Sequence, residues 1–305
     1  MVIKPRGAEV SRRAFLSAMA SAAALQGGAA LSTAAVPRMA ALDWAMAESV
    51  AFLGHPPLAL AELIAFRRTE MAPLPEGISA SLPQGITDLG LRGSPNLEVL
   101  ALSAPDLILS SNYYAFIGPQ LSRIAPVLEP ALFVPGKPPL PGLRALLPDL
   151  AARLGDPQAA ERALSRAARA FAASRQRLHS AAARPVWLIE IGDSRHIRVF
   201  GDDSLFGGVL SELGLINAWA QETRFAFAAP VPIETLAERP EARIVITGPP
   251  PVHVARGLAQ SRLWQALPAV KSGQVLQLPE MNGFGGLPSA LRFARALTEA
   301  VEQRG

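Results

Sequence analysis

The residue types that most often carry chemistry are sparse in this 305-residue chain. Cysteine is absent, which removes disulfides, thiolate metal sites, a cysteine nucleophile and the lipid-bearing cysteine of a bacterial lipoprotein. The four histidines, His55, His179, His196 and His253, sit in unlike contexts with no i, i+4 pair among them. A histidine-built zinc or manganese site, or a histidine-ligated haem, is therefore not expected. No Gly-x-Ser-x-Gly elbow occurs at a strand-to-helix turn. Gly201-Asp202-Asp203-Ser204 follows an apolar run, but it reads as a turn whose Ser or Asp caps the next helix. Gly283-Phe284-Gly285-Gly286 precedes a helical pattern and matches neither nucleotide fingerprint. The residues point away from catalysis: no enzyme, no cofactor and no resident metal are expected, with an exported hydrolase as the remote alternative.

Half of the residues are apolar and only 18% are charged, so the chain can bury a large core and divide into two lobes. The net charge of +4 is concentrated at the front, where Lys4, Arg6, Arg12 and Arg13 face only Glu9, a surplus of +3 before residue 36. The remainder has no Lys/Arg run with interleaved aromatics, which excludes the footprint of a nucleic-acid binder. Ser11-Arg12-Arg13-Ala14-Phe15-Leu16 followed by a small-residue apolar stretch to Ala35 matches a twin-arginine export signal. Residues 1–35 are accordingly expected to be removed near Ala34 or Ala35, leaving a periplasmic protein. No later apolar run is long enough to span a bilayer.

From Pro37 short apolar runs alternate with helical patterns, the signature of an α/β domain. Strands are expected at Met39–Leu42, Pro105–Ser110, Val186–Ile191, Ile197–Phe200, Ile244–Thr247 and Gln274–Leu278, with Leu58–Phe66 a further strand or buried segment. Helices are expected at Ala45–Leu53, after an Asn96 cap, over Phe116–Ile124, Leu205–Leu213, Leu258–Ala266 and Pro288–Gln303. The stretch Leu143–Ala183 has no strand, and Ala159–Ala183 is rich in strong helix formers. It predicts a long helix, interrupted near Gly155-Asp156-Pro157. The resulting plan is an N-terminal α/β lobe over 36–141, a linking helical region over 142–183 and a C-terminal α/β lobe over 184–305. A helix packed on both lobes restricts their motion, so a ligand would meet a largely preformed cleft.

Several segments, in order and spacing, resemble the periplasmic ferric-hydroxamate-binding proteins of siderophore ABC importers. They are Met39-Ala40-Ala41-Leu42-Asp43-Trp44, Asp88-Leu89-Gly90-Leu91-Arg92 with Pro95-Asn96-Leu97-Glu98, and Arg123-Ile124-Ala125-Pro126 in the first lobe. In the second they are Phe200-Gly201 with Ser204-Leu205-Phe206, Asn217-Ala218-Trp219 with Glu222-Thr223, and Leu263-Trp264-Gln265-Ala266-Leu267-Pro268. The resemblance covers nearly the whole chain after residue 35. It implies a class III periplasmic binding fold, two α/β lobes joined by a single long backbone helix, acting as a monomer with an inner-membrane ABC permease as partner. It also implies that Arg92 and Tyr114, with Tyr113 as a neighbour able to substitute, reach the oxygens of an intact ferric hydroxamate siderophore. Such a chelate fills the iron's coordination shell itself, so the protein needs donors to those oxygens and an apolar wall; guanidinium and phenol are suitable donors. The same fold also serves other ferric chelates, haem and cobalamin. The bland reading is that Arg92 pairs with a nearby carboxylate and Tyr114 is a half-buried loop aromatic.

The second lobe departs from the family's pattern. Ala226, between Phe225 and Phe227, stands where the resemblance implies tryptophan, and Asn282-Gly283-Phe284-Gly285-Gly286 replaces an aromatic cluster. Phe227 and Phe284 are expected to supply part of the wall, and the Asn282 amide to bond a polar ligand. The acidic residues such proteins present to their permease are not assignable; Asp202, Asp203 and Glu222 are candidates, each also readable as a loop or cap carboxylate.

Overall fold

The computed structural model describes Met1, residues 36–193, 195–221, Thr223 and residues 227–304. The expected export signal, Glu222, Phe225 and Ala226 lie outside the described residues.

The first α/β unit begins with β1 (Met39–Ala41), α1 (Trp44–Phe52), β2 (Ala59–Leu60) and α2 (Leu63–Thr69). It continues with β3 (Thr87–Asp88), the hairpin β4 (Gly90–Leu91) and β5 (Ser94–Pro95), α3 (Leu97–Leu102), β6 (Leu107–Leu109), α4 (Gly118–Leu121) and β7 (Val127–Leu128). Its sheet has the order β3-β2-β1-β6-β7 with every pair parallel. Next come α5 (Pro139–Arg153) and α6 (Pro157–Arg177). The second unit holds β8 (Val186–Ile191), β9 (His196–Phe200), α7 (Leu205–Glu212), β10 (Ala228–Pro232), β11 (Arg243–Ile246), α8 (Val252–Gln260), α9 (Arg262–Ala266), α10 (Pro268–Lys271), β12 (Val275–Gln277) and α11 (Leu287–Glu302). Its sheet runs β10-β9-β8-β11-β12, with β8, β11 and β12 parallel and β9 and β10 antiparallel.

Local chemistry explains most boundaries. Asp43, Asn96 and Ser204 accept the amides of Met46, Val99 and Gly207 as helix N-caps. Gly214 follows α7 at φ +73°, the left-handed ending that glycine adopts without a Cβ clash. The differences from expectation are equally local. Leu58–Phe66 is split into a two-residue strand and the start of α2, because Glu62 takes a left-handed φ of 54° between them. The helix expected over Phe116–Ile124 is a 3-10 segment, Asn112–Ile117, with one turn of α4. Leu258–Ala266 contains two helices, separated where Ser261 caps α9. β7 and β10 were not expected; β10 carries Pro230 and Pro232, residues suited to a sheet edge.

The linking stretch is interrupted where expected, near Gly155-Asp156-Pro157, into α5 and the 21-residue α6, which pack on each other. Gly155 at φ +76° ends α5, Pro157 opens α6, and Asp156 caps it through Ala159 N at 3.2 Å. α5 touches α1 of the first unit and α7 of the second, while α11 returns to pack on α1, α5, α6 and α7. One apolar core therefore runs from Met39, Leu60 and Leu109 through Leu143, Leu147 and Phe171 to Leu188, Val245 and Phe293. Separate cores fill the outer faces of the two sheets, around Ile108 and Leu100 in one and Trp187 and Ile244 in the other.

Candidate functional site: a cleft at the carboxyl ends of two sheets

In the first sheet the chain leaves β1 toward β2 on one side and later adds β6 on the other, so the loops after β1 and β6 diverge. Such a switch point leaves a crevice beyond the carboxyl ends of the strands. Asp43 lies at the end of β1, and its Oδ2 accepts from Ser111 Oγ, beyond β6, at 2.7 Å. Burial raises the Asp43 carboxyl above its ordinary range, against the opposing effects of Ser111, the Met46 and Ala45 amides and the Arg92 charge. Trp44 follows it, buried, with its indole N–H donated to Ala61 O at 3.0 Å and its ring edge-on to Phe66.

Arg92 reaches Trp44 from the tip of the β4–β5 hairpin. Asp88 Oδ1 accepts from Gly90 N at 2.9 Å, and Gly90 takes φ +76°, which folds the Asp-Leu-Gly-Leu-Arg segment back on itself. The Arg92 guanidinium carbon lies 3.9 Å from the Trp44 ring centroid and 6.0 Å from that of Tyr114. Its Nε donates to Glu62 Oε2 at 2.7 Å. Its two terminal nitrogens have no hydrogen-bond partner among the described residues. The carboxylate pairing that was the bland alternative is thus present, yet it occupies only one edge of the guanidinium and fixes the plane that stacks on Trp44.

Tyr114 is buried in the 3-10 segment, with φ −111° and ψ 18°. Burial above all, with Asp43 and Glu62 adding to it against the pull of Arg92, raises its phenol pKa, so the hydroxyl stays a protonated donor. Tyr113 is 46% exposed and contacts the Tyr114 ring at 5.2 Å and the Phe284 ring at 5.6 Å. Phe133 lies 5.5 Å from Phe284 and 6.1 Å from Phe227, and Phe227 and Phe284 lie 6.1 Å apart. These rings join the two units along one side of the cleft, making the apolar wall fuller than the sequence suggested. Phe133 is held there by a two-way amide exchange with Asn112, at 2.7 and 3.1 Å.

The cleft encloses about 560 Å³. Trp44 and Arg92 line it from the first unit; Phe200, Asn282 and Phe284 are among the residues lining it from the second. Tyr113, Tyr114 and Phe227 flank it through ring contacts and do not form its immediate lining. Hollows of similar size elsewhere, such as one beside Arg166 and Arg169 on α6, lie away from the strand ends. None of the four histidines lines the cleft.

Asn282 lines the cleft. Its Oδ1 accepts from Phe284 N at 3.0 Å, and its Nδ2 is buried without a partner among the described residues, so in this arrangement the side chain shapes the loop. The Gly285-Gly286 pair is explained by packing: a Cβ on Gly285 would meet Ser289 Oγ at 2.1 Å, and one on Gly286 would meet Ala45 O at 2.8 Å. Below them Glu48 accepts from Gly286 N at 2.7 Å, Ser289 N at 3.1 Å, Ser289 Oγ at 2.7 Å and Arg292 Nη1 at 2.8 Å. A fully buried carboxylate on α1 thereby fixes the start of α11 and the Phe284 loop against the first unit. Asp202 and Asp203 are engaged as turn carboxylates, Asp202 with Asn217 Nδ2 at 2.9 Å and Asp203 with Thr223 Oγ1 at 2.7 Å and Gly136 N at 3.3 Å.

Trp44, Glu62, Phe133 and Glu48 were not singled out from sequence. The Asp43 cap directly after a strand was a signal for Trp44; the other three had none, because each is defined by a partner far along the chain.

Residues 39–281 match the family described as periplasmic binding protein. The iron(3+)-hydroxamate-binding protein FhuD of Escherichia coli K12 is 34% identical over 294 residues, 96% of this chain and 97% of that one. The siderophore-binding protein FhuD of Vibrio cholerae, crystallised with Fe3+-Desferal, superposes with a TM-score of 0.78 at 24% identity, covering 87% of this chain and 98% of that one. The petrobactin-binding protein YclQ of Bacillus subtilis superposes with a TM-score of 0.71 at 16% identity, covering 88% and 93%. These two likenesses speak to the fold alone. With a family match across most of its length and a full-length relative above 30% identity, the chain belongs to the periplasmic binding protein family.

Proposed function

We propose that the chain is the periplasmic substrate-binding component of an ABC importer, which captures an intact ferric siderophore of the hydroxamate type in the cleft and delivers it to the inner-membrane permease. The observation that carries the reading is Arg92, stacked on Trp44 and tethered through Nε by Glu62, with both terminal nitrogens unpartnered among the described residues. Two parallel N–H donors with the protonated Tyr114 hydroxyl nearby suit anionic oxygens already bound to iron, and the Tyr113, Phe133, Phe227 and Phe284 rings suit an organic frame. The relative from E. coli, named for iron(3+)-hydroxamate binding, supports the same ligand class. No chemistry on the ligand is required.

The organisation that goes with this reading is a signal over 1–35, a lobe over 36–141, a linking region over 142–183 and a lobe over 184–305, acting as a monomer. Export by the twin-arginine route rests on Arg12-Arg13 and is tested by Arg12→Lys/Arg13→Lys, which should leave uncleaved precursor in the cytoplasm. Ligand binding is tested by titrating the protein lacking residues 1–35 with ferric hydroxamates, with haem and cobalamin as comparisons, following tryptophan fluorescence. Trp44, in contact with Arg92, is the reporter. Saturable quenching by a ferric hydroxamate, weakened about tenfold or more in Arg92→Ala, supports the reading; a tenfold change is about 1.4 kcal/mol. Binding of haem or cobalamin with no hydroxamate bound would replace it.

A further inference from the structure

The two walls of the cleft differ in charge. Four charged side chains line it: Arg92 from the first unit, and Glu190, Arg198 and Glu280 from the second. Arg92 is paired with Glu62, which lies behind it at 2.7 Å. Arg198 donates to Glu190 at 3.2 Å across the neighbouring strands β9 and β8. Glu280 alone has no ion pair or side-chain hydrogen bond among the described residues, and it is exposed. With Glu62 included, the walls carry three carboxylates against two guanidiniums, and the surplus negative charge resides on Glu280.

The surroundings of Glu280 are poor in backbone donors. Its Cα lies 3.6 Å from the position a Cβ on Gly248 would take, so it adjoins the segment after β11. That segment continues as Pro249-Pro250-Pro251, all three lining the cleft. Three consecutive prolines offer no backbone N–H, and the Pro251 carbonyl already accepts from Ala255 N at 3.0 Å. Nearby Thr247 spends its hydroxyl proton on Ile189 O, at 3.3 Å. The first wall thus offers the Arg92 donors, whereas this part of the second offers a free carboxylate and no backbone donor at its three prolines.

We infer that Glu280 is a specificity determinant selecting ferric siderophores whose organic frame carries a protonated amine, which it pairs with while Arg92 addresses the iron-bound oxygens. The inference rests on the ferric hydroxamate reading and refines it. A neutral chelate would leave the Glu280 charge unanswered in solvent; a chelate with a carboxylate arm would be repelled by it.

The test uses two linear ferric trihydroxamates that differ only in a terminal group, one a free primary amine and the other its N-acetyl derivative. The wild-type protein should bind the amine form about fivefold more tightly, the upper end for an accessible ion pair. Raising sodium chloride from about 0.05 to 0.5 M should shrink that preference, because screening shortens the reach of the carboxylate. Glu280→Gln should bring the two affinities within about twofold, and Glu280→Lys should reverse the order. Equal affinities in the wild type, or a preference that survives Glu280→Gln, would overturn this inference and leave the hydroxamate reading standing. Binding of neither chelate would remove the hydroxamate reading and this inference with it, so the acetylated form separates the two failures.

Discussion

Replacing Glu48 tests whether the two units are locked together as the packing indicates. Glu48 is completely buried on α1, and Arg292 on α11 is 4% exposed. Glu48→Ala would leave Arg292 with only Glu70, 3.8 Å away, and would strip the Gly286 and Ser289 amides of their acceptor. Removing one member of a buried ion pair costs about 3–5 kcal/mol, because the remaining charge stays desolvated. Glu70 limits the loss to the lower part of that range: its Oε1 has no other hydrogen-bond partner, and removing Glu48 takes away a like charge that helps burial raise the Glu70 pKa, so its carboxylate can answer Arg292. At roughly 2–4 °C per kcal/mol for a domain approaching this size, the melting temperature should fall by about 6–15 °C. Urea denaturation gives the free energy directly. Glu48→Gln, which keeps an acceptor for the two amides but not the charge, should fall between. Adding Arg292→Leu to Glu48→Ala should recover much of the loss, since no unpaired charge then remains. A loss below about 1 kcal/mol for Glu48→Ala, or no recovery in the double variant, would refute the argument that this pair carries the inter-unit contact.

Further outcomes follow from the cleft. Arg92→Lys should bind ferric hydroxamate nearly as poorly as Arg92→Ala in fluorescence titration, since an ammonium cannot stack flat on Trp44 while donating from a planar fork. Tyr114→Phe should weaken binding by about 0.5–1.5 kcal/mol, the net value of one hydrogen bond. With its phenol pKa raised, the wild-type affinity should show no phenolate step between about pH 7 and 10. Asp43 has a folded pKa raised above its ordinary 3.8, chiefly by burial. Its contribution to stability is complete below that value and is lost as pH rises through the folded pKa, because the native state holds the proton more tightly. Urea titrations from about pH 4 to 7 should therefore show the wild type losing stability relative to Asp43→Asn as pH rises; the opposite slope would sink the burial argument.

Periodicity and capping made much of the fold legible. β1, β8, β9, α1, α7 and α11 lie within a residue or two of their expected bounds, since each couples a clear apolar pattern to a strong end signal such as Asp43, Ser204 or Gly214. Elements set by distant partners were not legible. β7 and β10 exist because β6 and β9 offer them a ladder, and α2 starts where it does because Glu62 adopts a left-handed conformation beside the β4–β5 hairpin.

The chain alone determined what the site is made of: no cysteine, no clustered histidine and no catalytic elbow, with Arg92 after the Asp-Leu-Gly-Leu segment singled out by the family resemblance. These are statements about residue type and short-range geometry, which sequence encodes directly. Tertiary structure alone decided how those residues act. Arg92 is oriented by Trp44 and by Glu62, 30 residues away, and the Phe284 loop is held by Glu48, 238 residues from Gly286. Phe133 completes a ring cluster to which both units contribute. Each of these relations depends on which strand ends and helices the fold brings together, and on the burial that gives a carboxylate or a guanidinium its strength; neither is written in the spacing of residues along one segment.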